Sequence, residues 1–178
     1  PASLEEIYTD IFAESPFVKV TIPAGSQLNT IHTSAFNRMT YFTTLEIAPS
    51  CPLETIETKA FYGCKGLKSI ALPKTVTTIG ASAFSGCKAL EKVTFADDAA
   101  ITTIGANAFE FSGIKSITIP ERVTTIGKEA FSTCDVLTEV TLPSSLTSMS
   151  GEAFKYCSKL ANVYVADGNT NYSSINGI

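Results

Sequence analysis

Four of the five cysteines recur at one position of the sequence, three residues after an Ala-Phe pair. They are the side chains best suited to chemistry. Thiols that recur at one spacing can bind a metal ion, form disulfides or take part in redox chemistry. A zinc site needs closely spaced pairs such as C-x-x-C, and the chain contains none. Disulfides between neighbouring copies are sterically conceivable, but other copies carry Met39 or Ser112 at this position, so no bridge is required. We interpret the column as small buried thiols, and its members are Cys64, Cys87, Cys134 and Cys157.

The remaining residues with chemical potential stand alone. Cys51 lies outside the column, in a PSCP turn, and we expect it to be a free, exposed thiol. His32 is the only histidine, and a Ser-His-Asp site needs a positioned partner pair that this turn does not supply. We therefore interpret His32 as a surface turn residue. The sequence predicts no catalytic residue, no metal ligand and no cofactor.

Composition excludes several classes of function. The chain of 178 residues is 44% hydrophobic, with a net charge of −4 and no cluster of Lys or Arg. Nucleic-acid binding depends on such a basic cluster, so we predict no nucleic-acid partner. No apolar run approaches the roughly 18 residues that a membrane helix needs, so no membrane insertion is expected of this segment.

The cysteines belong to a repeat that covers almost the whole chain. A Phe preceded by Ala recurs with spacings of 25, 23, 25, 22 and 23 residues, after a degenerate first copy at Phe12. Other apolar columns accompany it, among them an alternating I-x-L segment that predicts a short strand. Pro cannot donate to a strand ladder and often ends that strand. The regular copies are Phe36, Phe61, Phe84, Phe109, Phe131 and Phe154.

This periodicity predicts a solenoid of about seven turns. Stacked at about 4.8 Å per turn, the rod would be roughly 30 Å long, with the Phe rings in one internal column. Ala-Phe segments such as 81–84 are expected to form one helical or 3-10 turn. Gly80, Gly105 and Gly127 are expected where the backbone needs a positive φ or a close approach to another turn.

Hydroxyl residues form a further column, next to a buried apolar residue in each copy. Adjacent Thr residues in "TT" point to opposite sides of a strand, so the T-x-T arrangement of ice-binding solenoids is missing. We instead expect a ladder of side-chain hydrogen bonds between turns. The members are Thr30, Thr55, Thr78, Thr103, Thr125, Ser148 and Ser174.

The N-terminal segment has apolar residues at helical spacing, and Ser3 with Glu6 matches a capping box. We predict a helical cap over 1–14 that merges into the first turn and covers its open core. The apolar members are Leu4, Ile7, Tyr8, Ile11 and Phe12.

The C-terminal segment is predicted to begin another turn, with Tyr172 and Ile175 in the repeat columns. We therefore expect the natural chain to continue past Ile178. In that case the open C-terminal edge would pack on further repeats or on a neighbour.

The repeat unit, L-x-x-I-x-L-P-x-x-V-x-x-I-G-x-x-A-F-x-x-C, resembles the BspA-like leucine-rich repeat of bacterial and protist surface proteins. The resemblance covers residues 12–178, with departures in two irregular early copies and at Ser112. It implies a leucine-rich-repeat solenoid of the α/β type, right-handed and curved, with a parallel sheet on the concave face. It also implies an extracellular or cell-surface location and contact with host or matrix proteins. We expect a monomer.

The concave face of such a solenoid carries the outward residues of its strands, which form two columns here. Both columns are small, polar and mixed in charge, and Tyr164 alone among them is of a type common in binding hot spots. The candidate binding residues are Lys19, Thr44, Glu46, Ser69, Lys92, Thr94, Ser116, Thr118, Glu139, Thr141, Asn162 and Tyr164.

Three classes of function are open to such a chain: an enzyme, a binding module and a structural spacer. The single histidine and the lack of a phosphate loop argue against an enzyme. Solenoids offer long concave binding surfaces, so the sequence predicts a non-enzymatic cell-surface module for protein binding or adhesion. The alternative is a structural spacer that presents other domains and has no ligand of its own.

Overall fold

A computed structural model describes residues 4–176 of the chain, in which every regular element is a β-strand. Strands of two residues alternate along the chain with strands of three or four residues. In chain order they are β1 (Glu6–Ile7), β2 (Lys19–Ile22), β3 (Thr30–Ile31), β4 (Thr44–Ile47), β5 (Thr55–Ile56), β6 (Ser69–Leu72), β7 (Thr78–Ile79), β8 (Lys92–Phe95), β9 (Thr103–Ile104), β10 (Ser116–Thr118), β11 (Thr125–Ile126), β12 (Glu139–Leu142), β13 (Ser148–Met149), β14 (Asn162–Val165) and β15 (Ile175–Asn176).

The two-residue strands from β1 to β13 form one parallel sheet, which we call the short-strand sheet. Its order is β1-β3-β5-β7-β9-β11-β13, so each strand pairs with its counterpart one turn further along. Equivalent residues of the repeat face each other, as Thr78 faces Thr103 and Ile79 faces Ile104. This order confirms the predicted parallel solenoid of about seven turns.

The longer strands lie on another side of each turn, which we call the long-strand side. β2 pairs with β4, β6 with β8, and β10 with β12 and then β14, always in parallel. Alternation buries every second residue, so that Ile70 and Leu72 of β6 face the core while their neighbours face solvent. The groups β2–β4, β6–β8 and β10–β14 are not hydrogen-bonded to one another as sheets, which leaves two seams along this side.

The Phe residues form the predicted internal column. Phe61, Phe84 and Phe109 are fully buried, and the ring centroids of successive members lie 5.0 and 5.3 Å apart with planes within 3° of parallel. The stack runs without interruption from Phe12 to Phe154. Burial of each ring contributes about 2–3 kcal/mol relative to exposure, so this column carries much of the cohesion between turns.

The Ala-Phe corner is not helical, contrary to the expectation of a helical or 3-10 turn. In the fourth copy Ser82 and Gly86 have φ of 55° and 74°, in the left-handed region. A left-handed residue interrupts a right-handed helix, so every second N–H is released from the local turn. The Phe84 N–H accordingly donates to the carbonyl of Ala108 in the next turn at 2.7 Å. The corner is thus a further ladder between turns.

The three column glycines are explained by close approach rather than by positive φ. A Cβ at Gly105 would lie 2.7 Å from the carbonyl carbon of Gly80, and one at Gly127 would lie 2.6 Å from the amide nitrogen of Ala106. Such contacts are shorter than any side chain tolerates against backbone. Glycine therefore lets successive turns touch at this corner. Of the two alternatives that the sequence left open, close approach is the one that applies.

The hydroxyl ladder is displaced by one residue from its predicted position. The threonines just before it donate to carbonyls of the previous turn, as Thr77 Oγ1 does to Glu54 O (3.2 Å) and Thr147 Oγ1 to Thr124 O (3.2 Å). The hydroxyl of Thr78 makes no hydrogen bond within residues 4–176. Hydroxyls in stacked strands are spaced by about 4.8 Å, which is beyond hydrogen-bond reach.

The predicted N-terminal helical cap is wrong. Strand β1 pairs with β3 so that Ile7 faces Ile31, and Phe12 stacks on Phe36 at 5.3 Å. The segment EIYTDIF therefore occupies the same positions as TIHTSAF in the following turn. Its apolar residues have helical spacing because the repeat columns happen to be separated by three to five residues. Ser3, the predicted capping serine, lies outside the described residues.

The C-terminal segment leaves the repeat register after Tyr172. The Tyr172 hydroxyl accepts a hydrogen bond from the Met149 N–H at 2.8 Å, and its ring packs against the core. Ile175 was predicted in a repeat column, but β15 instead pairs antiparallel with β14, so that Ile175 faces Val163. The chain here folds back on the long-strand side rather than continuing into the short-strand sheet.

Replacing a central ring should test the energetic weight of the column. Phe84→Ala removes a fully buried ring between two stacked neighbours, so we expect the free energy of unfolding to fall by about 3–5 kcal/mol. Denaturant unfolding followed by circular dichroism measures this. The control is Tyr41→Ala, since Tyr41 is 70% exposed and its loss should cost less than about 0.5 kcal/mol. Equal losses for the two variants would contradict the account.

Candidate binding face

The predicted binding residues all lie at the solvent-facing positions of the longer strands, on the long-strand side. Together with Thr21 and Ala71 they fill the two outward columns of β2 to β14, and we call this set the candidate face. Each member is exposed or half-buried, whereas most residues between them in the same strands are buried. The structure thus brings the twelve predicted residues onto one surface, and their role in binding remains a prediction.

Charges at the N-terminal end of the candidate face neutralise one another. Lys19 Nζ lies 2.6 Å from Glu46 Oε1 on the adjacent strand, and Thr21 donates to the same carboxylate at 3.2 Å. The hydrogen bond from Lys19 holds the pKa of Glu46 below its ordinary value. Both charged groups are half exposed, so the pair adds little stability. Lys92, in the middle of the candidate face, has no such carboxylate partner among the described residues.

A groove of about 690 Å³ crosses the candidate face at the seam between β8 and β10. Four of the predicted residues line it, and they are Lys92, Thr94, Ser116 and Thr118. The seam carries a single backbone hydrogen bond, from Lys115 N–H to Glu91 O at 3.4 Å. The volume of the groove falls within the range of about 300–1,000 Å³ that ligand sites occupy. We call it the seam groove.

The seam groove lies next to an irregular repeat. The chain needs only five residues to pass from Phe109 to the next apolar residue, Ile114, where most copies take six. The following strand, β10, is the three-residue member of its set, and the Ile119 N–H donates forward to Thr141 O of β12 at 2.9 Å. The shortened spacing was visible in the sequence, but the lost pairing was not. Asp97 and Glu121, at the same groove, were missed.

Each column thiol has a defined structural partner. The Cys64 thiol donates to the Phe36 carbonyl of the preceding turn at 3.0 Å, and the Cys87 thiol to that of Phe61 at 3.1 Å. Cys134 and Cys157 repeat the contact at 3.2 and 3.0 Å. All five cysteines are free thiols, and within residues 4–176 no cluster of three His, Cys, Asp or Glu side chains is arranged to hold a metal ion.

The thiols differ in how readily they ionise. Burial raises the pKa of Cys64 to about 12, and it raises the pKa of Cys87 as well. The neighbouring Cys134 thiol lowers the pKa of Cys157, which is also only half-buried. The same contact, followed by burial, raises the pKa of Cys134. Reactivity in the column is therefore concentrated at its last member.

Cys51 is buried, and the expectation of an exposed thiol is wrong. Its side chain is fully enclosed, and the thiol approaches the Leu28 carbonyl of the previous turn at 3.4 Å. Burial raises the pKa of Cys51. Turns of the same length recur at 23–28 and 96–101, and Ser26 and Ala99 are buried at the position equivalent to Cys51.

His32 is held between two neighbouring turns. Its Nε2 lies 3.1 Å from Glu6 Oε2 and its Nδ1 lies 3.2 Å from Glu57 Oε1, while its ring stacks on Tyr8. Partial burial raises the pKa of Glu57, but hydrogen bonds from Thr33 and the charge of His32 outweigh it, so this pKa lies below its ordinary value. The ring, with a carboxylate at each nitrogen, thus links three successive turns.

The fold and the repeat columns define a leucine-rich repeat solenoid. The model of the BspA type Leucine rich repeat region matches residues 1–67 and 54–175, in six copies. The chain therefore belongs to the BspA-type leucine-rich repeat proteins, as the repeat unit predicted. Among curated proteins, none matches the chain in sequence.

Several solved structures are similar to this chain. A leucine-rich repeat protein from Bacteroides ovatus has 34% identity and a TM-score of 0.70, over 82% of this chain and 39% of its own. The T. pallidum leucine-rich repeat protein has 29% identity and a TM-score of 0.63, over 82% and 57%. The pneumococcal vaccine antigen PcpA has 26% identity and a TM-score of 0.62, over 98% and 39%. The matched part is thus between 39% and 57% of these longer chains.

Thiol labelling should separate Cys157 from the other cysteines. At pH 8 in native buffer, we expect a disulfide reagent such as DTNB to modify Cys157 first, since its thiolate is favoured and its side chain is half-buried. Cys51, Cys64, Cys87 and Cys134 should react only on unfolding. Peptide mass spectrometry after timed quenching gives the rates. Faster labelling of Cys51 than of Cys157 would contradict the structure.

Proposed function

We propose that this chain is a non-enzymatic protein-binding module that serves adhesion, and that the candidate face is its contact surface. The observation that carries the proposal is the seam groove, which lies within the candidate face. Open, mixed-polarity surfaces of this size suit contact with another protein, and solenoids commonly present such surfaces. The partner proposed is a host or extracellular-matrix protein.

The missing strand pairing at the seam favours an extended polypeptide in the groove. Parallel strands that do not pair leave backbone N–H and C=O groups without a strand partner, and extended peptides bind to such groups. Lys92 adds an unneutralised charge at the edge of the groove, and Tyr164 lies three turns away, or about 14 Å along the stack. A partner that reaches both residues would span the C-terminal half of the candidate face.

The location proposed is extracellular or at the cell surface. One similar structure is a pneumococcal vaccine antigen, which supports a location outside the cell for relatives of this kind. Residues 4–176 contain no helix with the length and apolar character that crossing a bilayer requires. The single histidine is engaged on both ring nitrogens, which supports a role without catalysis.

A structural spacer remains the second candidate function. It is favoured by the composition of the candidate face, where most side chains are small and Tyr164 alone has hot-spot character. In this case the solenoid would hold other domains at a distance, and the candidate face would be solvated. A monomeric state, which we also propose, is compatible with either function.

Paired substitutions on the candidate face test the binding function. Lys92→Ala with Tyr164→Ala, and separately Ser116→Arg to fill the seam groove, should weaken binding to matrix proteins by about tenfold, or 1.4 kcal/mol. The probes are purified collagen, laminin and fibronectin on biosensor surfaces. Both designs change exposed or half-buried side chains, so the melting temperature should stay the same.

The matched control is Lys159→Ala with Tyr41→Ala, which makes the same two changes outside the candidate face at exposed positions. This control should bind like the unchanged chain. Binding that survives both designs, or that falls equally in the control, would contradict the proposed contact surface. Absence of binding to every probe would favour the spacer.

A further inference from the structure

A second groove, of about 700 Å³, lies at the Ala-Phe corner rather than on the candidate face. Arg38 bounds it towards the N-terminal end and Phe111 towards the C-terminal end, and Gly63 and Gly86 lie between them. It shares no residue with the seam groove. We call it the corner groove.

The floor of the corner groove is made by two glycines in a column that otherwise carries side chains. The left-handed residue that follows each Phe by two positions is Glu14, Arg38, Phe111, Thr133 or Tyr156 in the other turns. Gly63 and Gly86 are the members without a side chain, and a Cβ on Gly86 would already contact the Gly63 Cα at 3.5 Å. The opening is two turns wide, or about 10 Å along the stack.

The walls of the corner groove carry three cationic side chains against one carboxylate, that of Glu110, on an acidic protein. Lys65 and Lys88 line it in adjacent turns, and neither has a carboxylate within 4.0 Å among the described residues. Arg38 contacts Glu14 only at 3.7 Å and is mostly exposed. The chain as a whole has a net charge of −4, so this cluster opposes the overall charge. Such clusters attract carboxylate or sulfate groups.

Aromatic and small polar side chains complete the lining. Tyr62 and Phe111 stand at the groove, and Phe111 is 47% exposed although its φ of 56° is costly for a bulky residue. Ser82 and Asn107 add a hydroxyl and an amide. Rings that offer an apolar surface, polar groups that pair with hydroxyls and cations that pair with acid groups together match the surface of an acidic sugar.

The backbone of the corner groove argues against an extended peptide. The Gly63 N–H donates to Ser85 O at 2.8 Å, and the Gly86 N–H donates to Glu110 O at 2.8 Å. These amides are therefore occupied by the ladder between turns, and no strand edge is open for an added peptide strand. In this respect the corner groove differs from the seam groove.

We propose that the corner groove is a binding site for an acidic oligosaccharide, whose carboxylate or sulfate groups contact Lys65, Lys88 and Arg38. Sugar rings lie on the floor of Gly63 and Gly86, beside the ring of Phe111. This activity is separate from protein binding on the candidate face and uses different residues. Binding weakens as salt is added, because exposed charges are screened.

Titration of the 178-residue chain with defined oligosaccharides tests the site. The probes are a heparin-derived tetrasaccharide, with sulfates and carboxylates, and a hyaluronan tetrasaccharide, with carboxylates alone. Cellotetraose is the neutral comparison, and a peptide of eight glutamates is the acidic peptide comparison. Nitrogen-15 NMR should show shifts of the Gly63 and Gly86 amides with at least one acidic tetrasaccharide, and none with cellotetraose. The responsive tetrasaccharide identifies which acid group is recognised.

Two variants make the test specific. Lys65→Gln with Lys88→Gln should weaken binding of that tetrasaccharide at least tenfold. Gly86→Asn should do the same by placing a side chain on the floor, since Asn tolerates the left-handed region better than other non-glycine residues. Lys68→Gln with Lys159→Gln removes the same charge from exposed lysines outside the groove and should leave binding within twofold.

Several results would overturn the proposal. These are failure of both acidic tetrasaccharides to bind, equal or tighter binding of the glutamate peptide, and equal losses in the groove and control variants. Unchanged binding by a folded Gly86→Asn variant, with its NMR spectrum otherwise preserved, would also overturn it. Loss of protein binding by the candidate-face variants has no bearing on these outcomes.

Discussion

Each turn of this solenoid exposes an apolar edge that only the next turn can cover. In the Phe column, each ring is covered by the rings of the neighbouring turns. Ring centroids repeat at 4.9–5.3 Å from Phe12 to Phe154, a spacing close to that of paired strands. Stacked rings and backbone ladders therefore agree on one axial repeat. At the Ala-Phe corner, the left-handed residues direct every second backbone N–H towards the neighbouring turn. The column thiols donate to the Phe carbonyls of the preceding turn. Side chain and backbone thus stabilise the same stacking.

The surfaces with potential function arise where the repeat departs from this regularity. The short passage from Phe109 to Ile114 coincides with the unpaired seam between β8 and β10, and the seam groove lies there. Two successive glycines in a column that elsewhere carries side chains open the corner groove. Both grooves therefore lie where the repeat is irregular.

Much of the fold could be predicted from the sequence, because a period of 22 to 25 residues fixes which positions stack. The Phe column, the parallel order and the outward residues of the candidate face all follow from counting. The prediction of a helical corner was wrong because Ser82 and its counterparts adopt positive φ. The residue types at this position do not indicate that conformation. The N-terminal cap was wrong because the columns at Ile7 and Phe12 also fit a helical spacing. Cys51 and the two grooves depend on how turns of unequal length pack, which the period does not specify.

The central claim is that the Phe rings of successive turns lie directly against one another along one axis. Nuclear Overhauser contacts between aromatic protons, in a sample deuterated except at Phe, measure this most directly. The account predicts an unbroken chain of contacts from Phe36 through Phe61, Phe84, Phe109 and Phe131 to Phe154. Rings whose contacts stay within their own turn, or that pair in a different order, would contradict it.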